Sequence, residues 1–413
     1  MPDLTRRNML ALGAIVPSST RGGQNTPPND TIRIGVIGTG GRSRFLMRAL
    51  DSVPGARIAG LADIWDAALA EAAKLAPPRV YTTRQYKELL ERKDIDAVII
   101  GTPNHWHAQM TIDACAAGKD VYVEKPITHT IAEGAKVIEA QNRYRRIVQV
   151  GTQQRSMPHL IRAKEIFQSG QLGAVHKIHM TWNRNTPRRL SATADVAASE
   201  VPWQDFVGSS RKQDFDAYRF RNWRWFWDFG DGVFGDLMVH WLDTVNWMLD
   251  LPLPTSATSI GDNIHADGIW ETPDTVQTLL HYPQRKVQAY FEGTFINQRN
   301  AAMTEIMCRE ATLYIDRGRY EIIPERKRSA QGQDVSGALA ASEWVLGDGP
   351  RGADFYSNPD GEALHLKNWT DSIRSRKPPA CPAEEGVKAA NGSHLANLAL
   401  RRQRVVRWSE VQA

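Results

Sequence analysis

The chain has little of what marks a disulfide scaffold, a zinc module, a membrane protein or a nucleic-acid binder. Its three cysteines, Cys115, Cys308 and Cys381, lie far apart without C-x-x-C spacing, so buried thiols are the simplest reading of them. Apart from the first twenty residues, no segment suggests membrane insertion. No long basic run exists either: 51 Lys plus Arg are spread through 413 residues, and the net charge of +5 is not gathered into a nucleic-acid face. Internal repeats are absent. What is present, 42% hydrophobic and 23% charged residues, describes a globular chain long enough for two ordinary domains.

The N-terminus reads differently. Arg6 and Arg7 precede the short apolar stretch 9–16, the layout of a twin-arginine export signal, although no A-x-A cleavage site follows. Periplasmic or extracytoplasmic location is the expectation, and a chance Arg pair on a cytoplasmic protein is the alternative. Residues 21–30, rich in Gly, Pro and Asn, form a flexible joint, so folding starts at about residue 31.

From there to residue 150, short apolar or β-branched runs alternate with amphipathic helical stretches, which implies parallel strands with crossover helices. After about residue 255 the strand-like runs follow one another without helices, as in an antiparallel sheet, with Pro283, Gln284 and Arg285 at one turn. Residues 326–360 read as a long polar surface excursion, and helices are expected near 362–375 and 384–402. The expected fold is therefore α/β: residues 31–150 as a doubly wound parallel sheet of Rossmann type, residues 151–413 as an α+β domain with a large open antiparallel sheet.

The chemistry is written at strand ends. Gly38, Thr39, Gly40, Gly41, Arg42 and Ser43 lie between the first strand and the first helix, where glycines permit a tight turn and the helix N-terminus offers N–H groups to a pyrophosphate. Asp63 ends the next strand about twenty-five residues on, where a carboxylate accepts from ribose hydroxyls and repels a 2′-phosphate. No Arg or Lys follows it directly, so NAD is favoured over NADP. Two later strand ends point at the same crevice: Thr102, Asn104 and His107 after one, Glu124 and Lys125 after the next. His105 and His107 have no third ligand at suitable spacing, so no metal is expected. Farther on, Asp236 and His240 stand four apart on a predicted helix, hence on one face, where a carboxylate can fix an imidazole tautomer, with Asp243 a possible partner behind them. Residues 218–227 crowd aromatic and guanidinium groups, among them Trp223 and Arg224, which suit the faces and hydroxyl rims of a sugar; Arg155 is placed near the crevice mouth.

Together the Gly-rich turn, TPNHWH (102–107), AGKDVYVEKP (117–126) and GDGVFGDLMVHWLDTVNWML (230–249) resemble the Gfo/Idh/MocA family of glucose-fructose oxidoreductase and inositol dehydrogenase relatives, over about residues 31–410. The resemblance implies Lys125, Asp236 and His240 as a catalytic trio. It also implies a C-terminal sheet that forms the interface of a homo-oligomer, dimer or tetramer. The expected activity is hydride transfer between NAD and a ring carbon of a sugar or sugar-like polyol. A redox-neutral cycle with recycled cofactor is the alternative, and a non-catalytic sensor a second one; the HGLGP-type motif of one glycoside-cleaving branch is not found.

Overall fold

Buried strands organise the first half of the molecule. In the computed structural model, which describes residues 31–185, 196–337, 339–345, 350–352 and 361–411, the expected export signal and joint lie outside the described residues. Strands β1 (Ile32–Ile37), β2 (Ala56–Ala62), β3 (Tyr81–Thr83), β4 (Ala97–Ile100), β5 (Asp120–Val123) and β6 (Val148–Val150) pair in the order 3-2-1-4-5-6, all parallel. All four residues of β4 are fully buried, because helices cover both faces of the sheet. These crossovers are α1 (Gly41–Leu50), α2 (Asp66–Ala73), α3 (Tyr86–Glu91), α4 (Asn104–Ala116) and α5 (Ile131–Tyr144). Strand order reverses between β1 and β4, which opens a crevice at their carboxyl ends.

The second sheet has nine strands: β7 (Val175–Asn183), β8 (Ser256–Asp262), β9 (Thr275–Tyr282), β10 (Val287–Thr294), β11 (Ala302–Cys308), β12 (Ala311–Asp316), β13 (Arg319–Pro324), β14 (Ser342–Val345) and β15 (Val406–Arg407). Their order is 14-13-12-11-7-10-9-8-15, antiparallel except where β7 pairs in parallel with β10. In β9 every second residue is buried, so one face packs on the core and the other meets solvent. The inner face is covered by α6 (Pro158–Gln168) and α9 (Val239–Leu249), with the short helices α7 (Trp203–Val207) and α8 (Ala217–Arg221) in the aromatic segment between them.

The chain then returns to the first sheet. Leu366 and Trp369 of α10 (Gly361–Ser375) pack with Ile99 and Tyr122 on one face, while Val387 and Ala390 of α11 (Ala383–Arg402) pack with Val123 and Val137 on the other. Close approach is required there: a Cβ on Gly386 would lie 2.3 Å from Val150.

Candidate active site

The Gly-rich turn forms the floor of a cleft of about 1030 Å³. Gly38 has φ +76°, and a Cβ on it would stand 2.8 Å from the Thr102 nitrogen, so only glycine fits between β1 and β4. Ser43, where a third glycine is usual, packs so closely that a Cβ on Gly101 would lie 2.2 Å from its Oγ. Beyond Gly40 and Gly41 the space is open: a Cβ on either meets nothing within 4 Å, and Gly40, at the N-cap of α1, has no side chain to cap the helix. An uncapped helix N-terminus beside open space is the cradle a pyrophosphate needs, so these residues fit a dinucleotide.

Gly38, Gly40, Gly41, Arg42, Asp63 and Thr102 line this cleft, joined from the second domain by Trp223 and Arg224. Asp63 is held in place by its neighbours, its Oδ2 accepting from the Thr39 N–H (2.6 Å) and hydroxyl (3.0 Å), and its Oδ1 from the Trp65 N–H (2.9 Å). Burial raises the Asp63 carboxyl above the usual range, against these three bonds, which favour its charge. Arg42 is engaged at 2.8 Å by Glu124 and at 3.1 Å by Glu362, an acid from α10. Glu124 therefore acts from behind, through Arg42.

Asn104 and His107, expected to meet the cofactor, are buried beneath the cleft wall. Asn104 donates to Asp231 Oδ2 (2.8 Å), and the His107 ring bridges the carbonyls of Pro126 (2.7 Å) and Thr102 (2.8 Å), tying the two strand ends together. His105 lies between the carbonyls of Phe206 and Phe229, and burial pulls its imidazole down to about 4.

Lys125 and Asp236 meet behind the cleft wall, where Arg224 lines the cleft and reaches Asp236, and the charges of both act on His240. The Lys125 ammonium donates to the Asp236 carbonyl oxygen (2.6 Å) and to its Oδ1 (3.0 Å), and Arg224 Nε reaches the same Oδ1 at 3.3 Å. Burial lowers the Lys125 pKa from the usual lysine value, and Asp236 opposes the shift. The expected Asp236 to His240 pairing is not what forms. Residues Phe234–Met238 make a π-helical turn ahead of α9, so the four-residue stacking of an α-helix does not apply there. Asp236 turns to Lys125 and Arg224, whereas the His240 ring packs on Trp182 of β7 (centroids 5.2 Å apart) with its Nδ1 buried and without a hydrogen-bond partner among the described residues. Burial, then the charges of Lys125, Arg317 and Arg42, hold His240 well below the ordinary imidazole range. It is neutral at pH 7.

Arg155 departs most from expectation. Its side chain is 3% exposed and forms a bidentate pair with Asp243 (both contacts 2.8 Å, Asp243 0% exposed) plus a contact of 3.0 Å to Glu385 of α11. A residue so enclosed ties the segment after β6 to α9 and α11; Asp243 is occupied by it and not by His240. Within the aromatic segment, Trp225 stacks on Trp270 in the core, whereas Trp223 carries Arg224 over its ring (4.2 Å) at the cleft. Trp182, Arg317 and Glu362 were not singled out by sequence reasoning. Each is an isolated residue on a distant element, with no spacing that could have announced it.

Comparison with known proteins agrees with this geometry. Residues 32–152 match the "Oxidoreductase family, NAD-binding Rossmann fold" and residues 160–314 the "GFO/IDH/MocA C-terminal domain". The uncharacterized oxidoreductase YrbE of Bacillus subtilis is 30% identical over 368 residues, 89% of this chain and 93% of its own. Inositol 2-dehydrogenase of Gluconacetobacter diazotrophicus is 36% identical over 152 residues, covering 36% of this chain and 45% of that protein. Among solved structures, a levoglucosan dehydrogenase in complex with NADH and levoglucosan superposes with a TM-score of 0.69 at 17% identity, over 91% of this chain and 99% of that one. The chain is thus an NAD-binding oxidoreductase of the Gfo/Idh/MocA family.

Proposed function

We propose that the protein oxidises a CH–OH group of a sugar or sugar-like polyol. The observation that carries this reading is the Lys125 ammonium docked on Asp236, which Arg224 ties to the wall of a cleft shaped for a dinucleotide, with His240 held neutral by burial and by the Lys125 charge. Bound NAD supplies the hydride acceptor, which no side chain can. Lys125, held by two oxygens of Asp236, steadies negative charge on the substrate oxygen. His240, kept neutral by burial and by the cations around it, is in the form that accepts the hydroxyl proton. Trp223 offers a flat apolar face to a sugar ring, and Arg224 hydrogen-bond donors to its hydroxyls.

The test is incubation of purified protein with NAD and a panel of sugars and polyols while nicotinamide absorbance is followed. Net NADH supports the dehydrogenase; product without net NADH supports the redox-neutral cycle; neither refutes both. Lys125→Ala and His240→Ala are each expected to lower turnover by about a hundredfold or more, with NAD affinity within a few-fold of wild type.

We also propose assembly of identical chains through the outer face of the second sheet, where Ile260 (66% exposed) and Leu279 (53%) stand on adjacent strands. Light scattering on the eluting protein checks this: a monomer at micromolar concentration refutes it.

A further inference from the structure

We propose that Asp231 and His129 form a buried charged latch that sets Lys125 against Asp236, making both of them positioning residues for the oxidation proposed above, on which this inference rests. His129 lies four residues after Lys125 in the loop from β5 to α5, and Asp231 five residues before Asp236 in the approach to the π-helical turn. Their contact therefore joins the two segments that carry the reacting pair.

The surroundings of Asp231 are built for this. Its side chain is 5% exposed, with Oδ1 at 3.1 Å from His129 Nδ1, oblique to a hydrogen bond but at ion-pair distance, and 3.7 Å from His394 Nδ1. Oδ2 accepts from Asn104, and the backbone carbonyl accepts from Asn397 Nδ2 at 3.0 Å. One residue thus meets the start of α4, the loop after β5, and α11. On its other side, His129 Nε2 donates to the Trp227 carbonyl (3.0 Å), and its backbone N–H donates to Glu133 (2.7 Å). One of the two oxygens facing the ring belongs to a buried carboxylate, which favours the imidazolium. Burial opposes that charge, yet Asp231 outweighs it and raises His129 to about 9. The other titratable groups facing this ring are Glu133, which adds to the effect, and His105 and His394, both held neutral by burial.

A lysine is a long, flexible arm, and its bond to Asp236 at 3.0 Å is set by where the two backbones stand. The latch fixes that spacing a few residues away on both chains. Thr128 Oγ1, at 3.1 Å from His394 Nε2, secures the same loop to α11.

The experiment compares the full chain with Asp231→Asn and His129→Gln. Turnover is expected to fall about ten- to a hundredfold in each, with NAD affinity within about twofold, because a displacement of an ångström at the reacting atoms is costly while the cradle is untouched. The two losses are expected to be strongly non-additive in the double variant. Independently of turnover, reductive methylation of Lys125, read by peptide mass spectrometry, is expected to quicken several-fold in both variants. Wild-type turnover and Lys125 labelling in both variants overturn the latch. If wild type oxidises no sugar, the functional reading fails, and the labelling still decides the latch. Should Asp231→Asn not fold, His129→Gln decides alone, since glutamine keeps an amide donor for one of the two partners and removes the charge.

Discussion

Replacing Arg155 with methionine separates two roles that sequence and structure assign to the same residue. As a substrate contact, Arg155 would affect KM and leave folding alone. The structure instead makes it the centre of a buried ion cluster, bidentate to Asp243 and reaching Glu385 and the Ala380 carbonyl. Its loss strands a carboxylate of zero exposure, and breaking a buried pair in this way costs about 3–5 kcal/mol. With an unfolding entropy of about 2.1 cal/mol/K per residue, the melting temperature falls by roughly 4–6 °C if the chain unfolds cooperatively. The double variant Arg155→Met/Asp243→Leu is expected to regain most of this, since an apolar pair of similar volume often matches a buried ion pair. Circular-dichroism melting of the variants, beside KM for the best sugar found, is the assay. A melting point within about 1 °C of wild type together with a raised KM would refute the structural role and restore the substrate contact.

Asp63→Ala is expected to weaken NAD binding and to narrow the preference against NADP, through loss of both an acceptor and the anchor of Thr39; fluorescence titration with both dinucleotides checks it, and unchanged selectivity would make Asp63 a bystander. The His129–Asp231 pair contributes stability that is fully present below the ordinary imidazole pKa and is lost as pH rises through about 9, because its folded pKa is raised; thermal melts from pH 7 to 10 should show a decline that His129→Gln lacks. If Arg6 and Arg7 direct export of the folded protein, NAD must be loaded beforehand and retained. Protein purified without added cofactor should then release close to one equivalent on denaturation, and a tagged full-length chain should fractionate outside the cytoplasm. Less than about a tenth of an equivalent, with cytoplasmic retention, would end that reading.

The first domain was legible because its signals are local. Alternating buried strands and amphipathic helices, a glycine turn at one strand end and an acid at the next are each set by residues within one supersecondary unit. The last two helices, at Gly361–Ser375 and Ala383–Arg402, were legible for the same reason, by 3.6-residue periodicity. Strand β7 was not, since it enters the second sheet between β11 and β10, more than a hundred residues away in the chain, and nothing near it announces those neighbours.

The sequence by itself determined the nucleotide cradle, because glycine conformation and strand-end placement are properties of the local chain, and its resemblance to a family brought Lys125, Asp236 and His240 forward together. Tertiary structure decided who partners whom. It turned Asp236 from His240 toward Lys125 through a π-helical turn, placed Trp182 against His240, enclosed Arg155, and put Asp231 on His129. Those are long-range contacts between elements whose spacing is set by the packing of two sheets and the return of α10 and α11, and a buried charge takes whatever counter-charge that packing brings within reach.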